Sequence, residues 1–184
     1  MTEATILWRR LDRPGHEGAR LVFHAPLWQL TGTAVFGEEG QPCRLEYRVV
    51  CDSQWNTLHA RVDGWHGSRR IKCEVRANRR RGWYLNDHAC PAVDGSADLD
   101  LAFSAATNLL AIRRTALGLG SSVNLTAAWL TFPELTLEPL EQTYRRTGPT
   151  TYHYEAAGHG FAADLEVNAA GFVVRYPGLW QAET

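Results

Sequence analysis

The stretch RIKCEVRAN, residues 70–78, decides the fold class. Ile71, Cys73, Val75 and Ala77 take every second position, and Lys72, Glu74, Arg76 and Asn78 stand between them. Successive side chains of an extended chain point to opposite faces, so this period of two describes a strand with one apolar and one wet face. The same period runs outward in both directions. It sets Leu45, Tyr47, Val49 and Cys51 on one face of RLEYRVVCD, and Leu58, Ala60 and Val62 on one face of TLHARVDG. It returns with Val123, Leu125, Ala127 and Trp129 in SVNLTAAWLTF, and with Phe161, Ala163, Leu165 and Val167 in FAADLEVN. Between these runs lie FGEEGQP, VDGWHGS, NRRRGW, RRTGPT and EAAGHG, clusters of Gly, Pro and Asn that mark tight turns. The pattern predicts an all-β chain, an antiparallel meander of about ten short strands. Such a sheet must close into a barrel, fold into a sandwich or curl around a cover for its apolar face.

At 184 residues the chain is long enough to bury a sizeable core, and we expect one domain over residues 1–184. Its 19 basic and 20 acidic residues leave a net charge of −1, which supplies no field for a phosphate backbone and argues against nucleic acid as a partner. Arginines cluster at Arg69–Arg70, Arg79–Arg81, Arg113–Arg114 and Arg145–Arg146, mostly beside Gly or Ser, and read as solvated loop tips. No apolar run approaches the ~20 residues of a membrane helix, and MTEATILWRRLD lacks a signal pattern, so a cytoplasmic protein is expected. Cys43, Cys51, Cys73 and Cys90 form no CxxC pair and are expected to be reduced thiols. His88 with Cys90, or His66 with Cys73, gives only half of a zinc pattern, and neither a metal nor a cofactor is expected.

One segment breaks the alternation. DLDLAFSAATNLLAIRR, residues 98–114, is the most apolar stretch available, and polar residues punctuate its ends. On a strand, Asp98 and Asp100 share one face and Leu99 and Leu101 the other. If residues 104–117 are helical, Ala105, Leu109, Ile112 and Ala116 align at helical spacing, and Arg113 falls within that apolar arc. A buried guanidinium needs an anionic partner, and the two aspartates are the evident ones. The segment would then cover the mouth of the curled sheet or lie across it.

Several pieces, in order, carry a resemblance: ILWRRLDRPGHE, LEYRVVCDSQW, RGWYLND, VDGSADLDLAFSAATNLLAIRR, EPLEQTYRR and AAGFVVRYPGLW. Over nearly its whole length the chain resembles a bacterial family of glycolipid-binding proteins with a spiral β-roll fold. Asp98, Asp100, Thr107, Asn108, Ile112, Arg113 and Arg114 match the family's most specific motif, Gln142 and Tyr144 its Gln-x-Tyr element, and Tyr176 and Pro177 its Tyr-Pro. Ala111 stands where the family has proline, which argues for a shorter helix starting near Ala111, or for an irregular crossover.

The resemblance implies a non-catalytic cavity for a glycolipid or fatty-acyl amphiphile. Asp98, Asp100, Asn108, Arg113, Gln142, Tyr144 and Tyr176 are the candidate ligand contacts, and Trp65, Trp83, Trp129 and Tyr144 the candidate aromatic walls. Two other classes stay open. Asp98-Leu99-Asp100 could hold a divalent cation in a metal-dependent enzyme acting on a sugar or lipid, and an exposed sheet edge could serve a scaffold. No nucleophile with an evident base is legible.

Overall fold

The computed structural model describes residues 3–183. The domain expected over 1–184 thus includes Met1, Thr2 and Thr184, which lie outside the described residues. Among the described residues fifteen strands, rather than about ten, form one curled antiparallel sheet of the expected all-β class, with a single pair of parallel neighbours. The first eight are β1 (Glu3–Arg10), β2 (Gly15–His24), β3 (Leu27–Glu38), β4 (Gln41–Cys51), β5 (Thr57–His66), β6 (Arg69–Ala77), β7 (Trp83–Leu85) and β8 (His88–Ala89). The others are β9 (Leu99–Leu101), β10 (Ser122–Leu130), β11 (Leu137–Arg146), β12 (Thr151–Ala156), β13 (Phe161–Val167), β14 (Val173–Tyr176) and β15 (Trp180–Ala182). Four of the strands are pieces of two or three residues, too short to show a period.

Each half of the chain is a meander, β1 to β8 and β10 to β15, and the halves join where the C-terminal strand β15 pairs with β1. Arg10 lies opposite Trp180 at this seam, and the Trp8 indole crosses it to donate to the Val173 carbonyl at 2.6 Å. Residues 90–98 carry the chain between the two free edges. They are stitched back to the first half, since Thr57 N–H donates to Ala97 O, Leu99 N–H to Thr57 Oγ1, and the Trp83 indole to Ser96 O.

Strand faces follow the period of two where the ladder is regular. Leu45, Tyr47, Val49 and Cys51 are all buried, as are Ile71, Cys73 and Val75. At β5 the pattern slips: a bulge opposite Val50 and Cys51 turns Thr57 inward and leaves Leu58 exposed, so Leu58 does not share the face of Ala60 and Val62. Gly32 has a steric reason, because a Cβ there would sit 2.3 Å from the Tyr47 hydroxyl oxygen. Without one, the Tyr47 ring lies flat over β3 and reaches β2. Burial pushes three of the four free thiols up, Cys43 and Cys73 to about 11 and Cys51 to about 12.

Of the two expected places for the 98–114 segment, the mouth of the curled sheet or a path across it, the second fits, since the segment is buried against the inward face. Helix α1 spans Asn108–Thr115, and five consecutive residues, Asn108 to Ile112, are buried, so its first turn and more is enclosed on every side. The helix starts neither at Ser104 nor at Ala111. The Ser104 hydroxyl accepts the Ala106 N–H and the Thr107 hydroxyl accepts the Leu101 N–H, and these local bonds hold the preceding residues in turns. Ala116, expected on the apolar arc, is exposed in a left-handed conformation that ends the helix. Among the described residues no helix is long and apolar enough to cross a membrane.

Candidate functional site

A cleft of about 300 Å³ opens where the second half of the sheet meets α1 and the seam. Asp100 of β9, Asn108 of α1, Tyr154 of β12 and Tyr176 of β14 supply its polar groups. Trp129, His159, Phe161 and Trp180 supply aromatic surface, with Leu140 and Leu179 beside them. The Trp129 and His159 rings meet edge to face, centroids 5.0 Å apart, which fixes the indole.

Behind the cleft runs a chain of hydrogen bonds. The side-chain amide of Gln142, itself 3% exposed, donates to Asp100 Oδ2 at 2.9 Å and to the Tyr154 hydroxyl at 3.0 Å. The Tyr176 ring meets that of Tyr154 edge to face, centroids 6.1 Å apart. Beside this chain the Asn108 amide donates to the Tyr144 hydroxyl at 2.8 Å, and the Tyr144 ring lies 5.0 Å from that of Tyr154. Desolvation is the largest influence on Asp100. It outweighs the Gln142 hydrogen bond and, with the neighbouring Asp98 charge, pushes the carboxyl up to about 6. Near neutral pH the group is a carboxylate that only accepts, aimed into a cleft with hydroxyl donors on the far side. Such a site suits a ligand rich in hydroxyl groups.

The expected residues separate into three places. Asp100, Asn108, Gln142, Tyr144 and Tyr176 come together around this cleft. Asp98 is only 2% exposed and does not face the cleft. Its carboxylate is held by Arg114, with Nε to Oδ1 at 2.8 Å and a second bond from Nη2. The aspartate's partner is therefore Arg114 rather than Arg113, and the pair Asp98–Asp100 is not free to share a cation. Arg113, in the same last turn of α1 as Arg114, is half-buried and donates instead to the carbonyls of Ala170 and Ala169. Of the expected aromatic walls only Trp129 lines the cleft. Trp83 is in the core, Trp65 is exposed at the end of β5, and Tyr144 stands behind the polar network.

Sequence reasoning missed Tyr154, His159, Phe161 and Ser104 around the cleft, and Glu17 beneath it. The signal for Tyr154 was present in TYHYEA, where Tyr152, Tyr154 and Ala156 alternate with polar residues and are all buried. Glu17 falls in phase with Ala19 and Leu21 on the inward face of β2 and is fully buried. Ser104, which lines the cleft, donates its hydroxyl to Glu17 Oε1, as does Tyr47. Arg10 lies nearby, its guanidinium between the Phe36 ring at 4.8 Å and the Trp180 ring at 4.5 Å. Burial outweighs these hydrogen bonds and the Arg10 charge, and pushes Glu17 up to about 7. Wider depressions of about 760 and 930 Å³ lie on the outside of the sheet, over β1–β5 and around the β3–β4 turn. Most of their charged side chains are already paired, among them Arg61 with Asp63 and Arg13 with Glu38.

Comparison with known proteins agrees with this architecture. The sequence profile of a family described as "Putative glycolipid-binding" matches residues 5–182. A crystal structure of a DUF1089 family protein from Pseudomonas aeruginosa is similar to the chain, with a TM-score of 0.77 and 28% identity over 98% of this chain and 92% of that one. No curated protein matches the chain.

Proposed function

Because the chain belongs to the glycolipid-binding family, we propose that it binds a glycosylated amphiphile without transforming it, and holds the sugar headgroup in the cleft between Asp100 and Trp129. One observation carries the reading: a carboxylate, two tyrosine hydroxyls and an asparagine converge on a cleft walled by Trp129 and Phe161. Carboxylate and amide groups hydrogen-bond sugar hydroxyls, and an indole face covers the apolar side of the ring. The interior of the roll is filled by α1, Phe103 and Phe172, so the acyl part lies outside the cleft rather than within the sheet.

The test is a titration of intrinsic tryptophan fluorescence with n-octyl β-glucoside below its micelle concentration, against a sugar-free octyl amphiphile, with native mass spectrometry of the purified protein. The reading expects saturable binding of the glucoside, weak binding of the control, and loss of the glucoside response in Trp129→Ala. Equal binding of the two amphiphiles, or bare protein from several hosts together with no response to either, overturns it.

A further inference from the structure

A second cleft of about 300 Å³ lies at the far end of α1, between the helix terminus and the turns that follow β11 and β13. Arg113 and Arg146 both line it, with Thr150 and Asn168 as further polar groups and Ile112 and Val167 as apolar floor. No acidic side chain is among the described residues that line it.

The two guanidinium groups are held in place without being neutralised. Arg113 donates from Nε to the Ala170 carbonyl at 2.7 Å and from Nη2 to Ala169 at 3.0 Å. Arg146 donates from Nε to Gly148 at 3.2 Å, from Nη1 to Leu117 at 2.9 Å and from Nη2 to Pro149 at 2.7 Å. Among the described residues neither arginine stands in an ion pair, whereas Arg114, next in sequence, is paired with Asp98. A guanidinium has five N–H donors. Arg113 commits two to carbonyls and Arg146 three, so both keep donors and full charge beside the cleft. Gly171, at φ +93°, lets the turn after β13 close over Arg113, since a Cβ there would lie 3.2 Å from the arginine Nε. Two guanidinium groups that line one small cleft, each with N–H donors left over from its carbonyl bonds, suit a tetrahedral oxyanion.

We propose that this cleft is a separate binding site for a phosphate-type oxyanion, gripped by Arg113 and Arg146 with Thr150 at its rim. The anion is either the phosphate of a lipid headgroup or free phosphate. The site rests on its own residues and does not depend on the sugar reading of the Asp100 cleft.

The experiment follows the arginine Nε–Hε resonances of the full chain while inorganic phosphate is added, with sodium chloride at matched ionic strength as reference. The proposal expects saturable shifts at Arg113 and Arg146. Thr150 is exposed, and Thr150→Glu puts a carboxylate into the cleft while leaving the arginine–carbonyl bonds in place. It is expected to weaken phosphate about ten- to hundredfold, the loss of a charge-assisted contact. Arg113→Gln, studied below its own thermal midpoint, is expected to weaken phosphate to a similar degree. Co-sedimentation with phosphatidylglycerol vesicles, against phosphatidylcholine vesicles, separates the sources. Binding to the anionic vesicles that is lost in Thr150→Glu assigns a lipid phosphate, and saturable phosphate binding without vesicle binding assigns free phosphate. Linear shifts indistinguishable from the chloride reference, or saturable shifts unchanged in both variants, overturn the proposal.

Discussion

The two halves of the sheet use their inward faces differently. From β1 to β8 the buried positions are almost all apolar, with Leu30, Leu45, Val49, Ile71 and Val75 as the type. Arg10, Glu17 and Thr57 are the polar intruders. In the second half, the stretch from Asp98 through α1 to β14 points Asp100, Asn108, Gln142, Tyr144 and Tyr154 inward, every one in a hydrogen bond, with the Tyr176 ring packed on Tyr154. Buried polar groups cost free energy unless partnered, so a half-sheet that carries a connected network is one whose interior is arranged for something besides packing. Both candidate clefts lie mainly on the second half.

The largest expected effect tests whether the halves are one cooperative unit. Trp8 is fully buried at the seam, edge to face with Phe172 at 5.6 Å and 6.4 Å from Trp180. Trp8→Ala should cost about 3–5 kcal/mol in urea unfolding and lower a single transition. Trp65→Ala, on the exposed end of β5, should stay within about 0.5 kcal/mol of wild type. Two resolved transitions in wild type would show that the halves unfold separately.

Next in size is the ion pair beside the network. Asp98 is buried and Arg114 only partly so, and removing either partner leaves an uncompensated charge or polar group. Asp98→Asn and Arg114→Leu are each expected to lose about 3 kcal/mol, and the double variant clearly less than the sum. Arg113→Leu combined with Asp98→Asn should be additive, since Arg113, although next to Arg114 in the last turn of α1, donates to the Ala169 and Ala170 carbonyls and not to Asp98. Coupling to Arg113 instead of Arg114 would contradict the pairing.

These two arginines mark where the sequence stops being legible. Strand faces could be read wherever apolar and polar residues alternate without interruption, as in β4 and β6. A single bulge was enough to flip Leu58 outward in β5, and a bulge leaves no mark in hydrophobic periodicity. The helix was harder. Because Asn108 to Ile112 are all buried, no polar stripe fixes its phase, and an arc counted from Ser104 assigned the wrong arginine to the aspartates. Five of the candidate contacts nevertheless meet around one cleft, because they were carried over from the family's motifs and did not depend on where the helix begins. Tyr154, which accepts from Gln142 and packs on Tyr176, was visible only as one member of an alternating strand.

A smaller effect probes the buried acid in the first half. Glu17 in the folded chain is raised to about 7, whereas an unfolded glutamate ionises near ~4.3. Below the unfolded value both states hold the proton and Glu17 contributes no difference. Between the two values the unfolded chain releases its proton first, so stability falls as pH rises, and above about 7 the deficit is constant. Glu17→Gln keeps an acceptor for Ser104 and Tyr47 and should recover on the order of 2 kcal/mol at pH 8, and little at pH 4. An unchanged difference between variant and wild type across that range would mean that Glu17 ionises as an exposed carboxylate does.

The smallest effect on stability is at Asp100, where binding should respond more than folding. Its carboxyl is raised to about 6 and an unfolded aspartate ionises near ~3.9, so the sign is the same as for Glu17. A deficit opens as pH rises from the unfolded value to about 6 and then stays constant. Asp100 is half-buried at the cleft, so the stability that Asp100→Asn recovers above pH 6 should be only about 1 kcal/mol. Binding moves the other way. The ionised group accepts from ligand hydroxyls and from Gln142 at once, whereas the protonated group loses part of that capacity. Octyl glucoside should therefore bind wild type more tightly as pH rises through about 6, and Asp100→Asn should bind it more weakly at pH 7.5 with no pH dependence between 5 and 7.5. A stabilised variant that binds the glucoside as wild type does would make Asp100 a strained core group of the network rather than a ligand contact. Wild-type binding that is flat across pH 6 would remove the carboxylate from recognition altogether and leave Trp129 and the tyrosines to carry it.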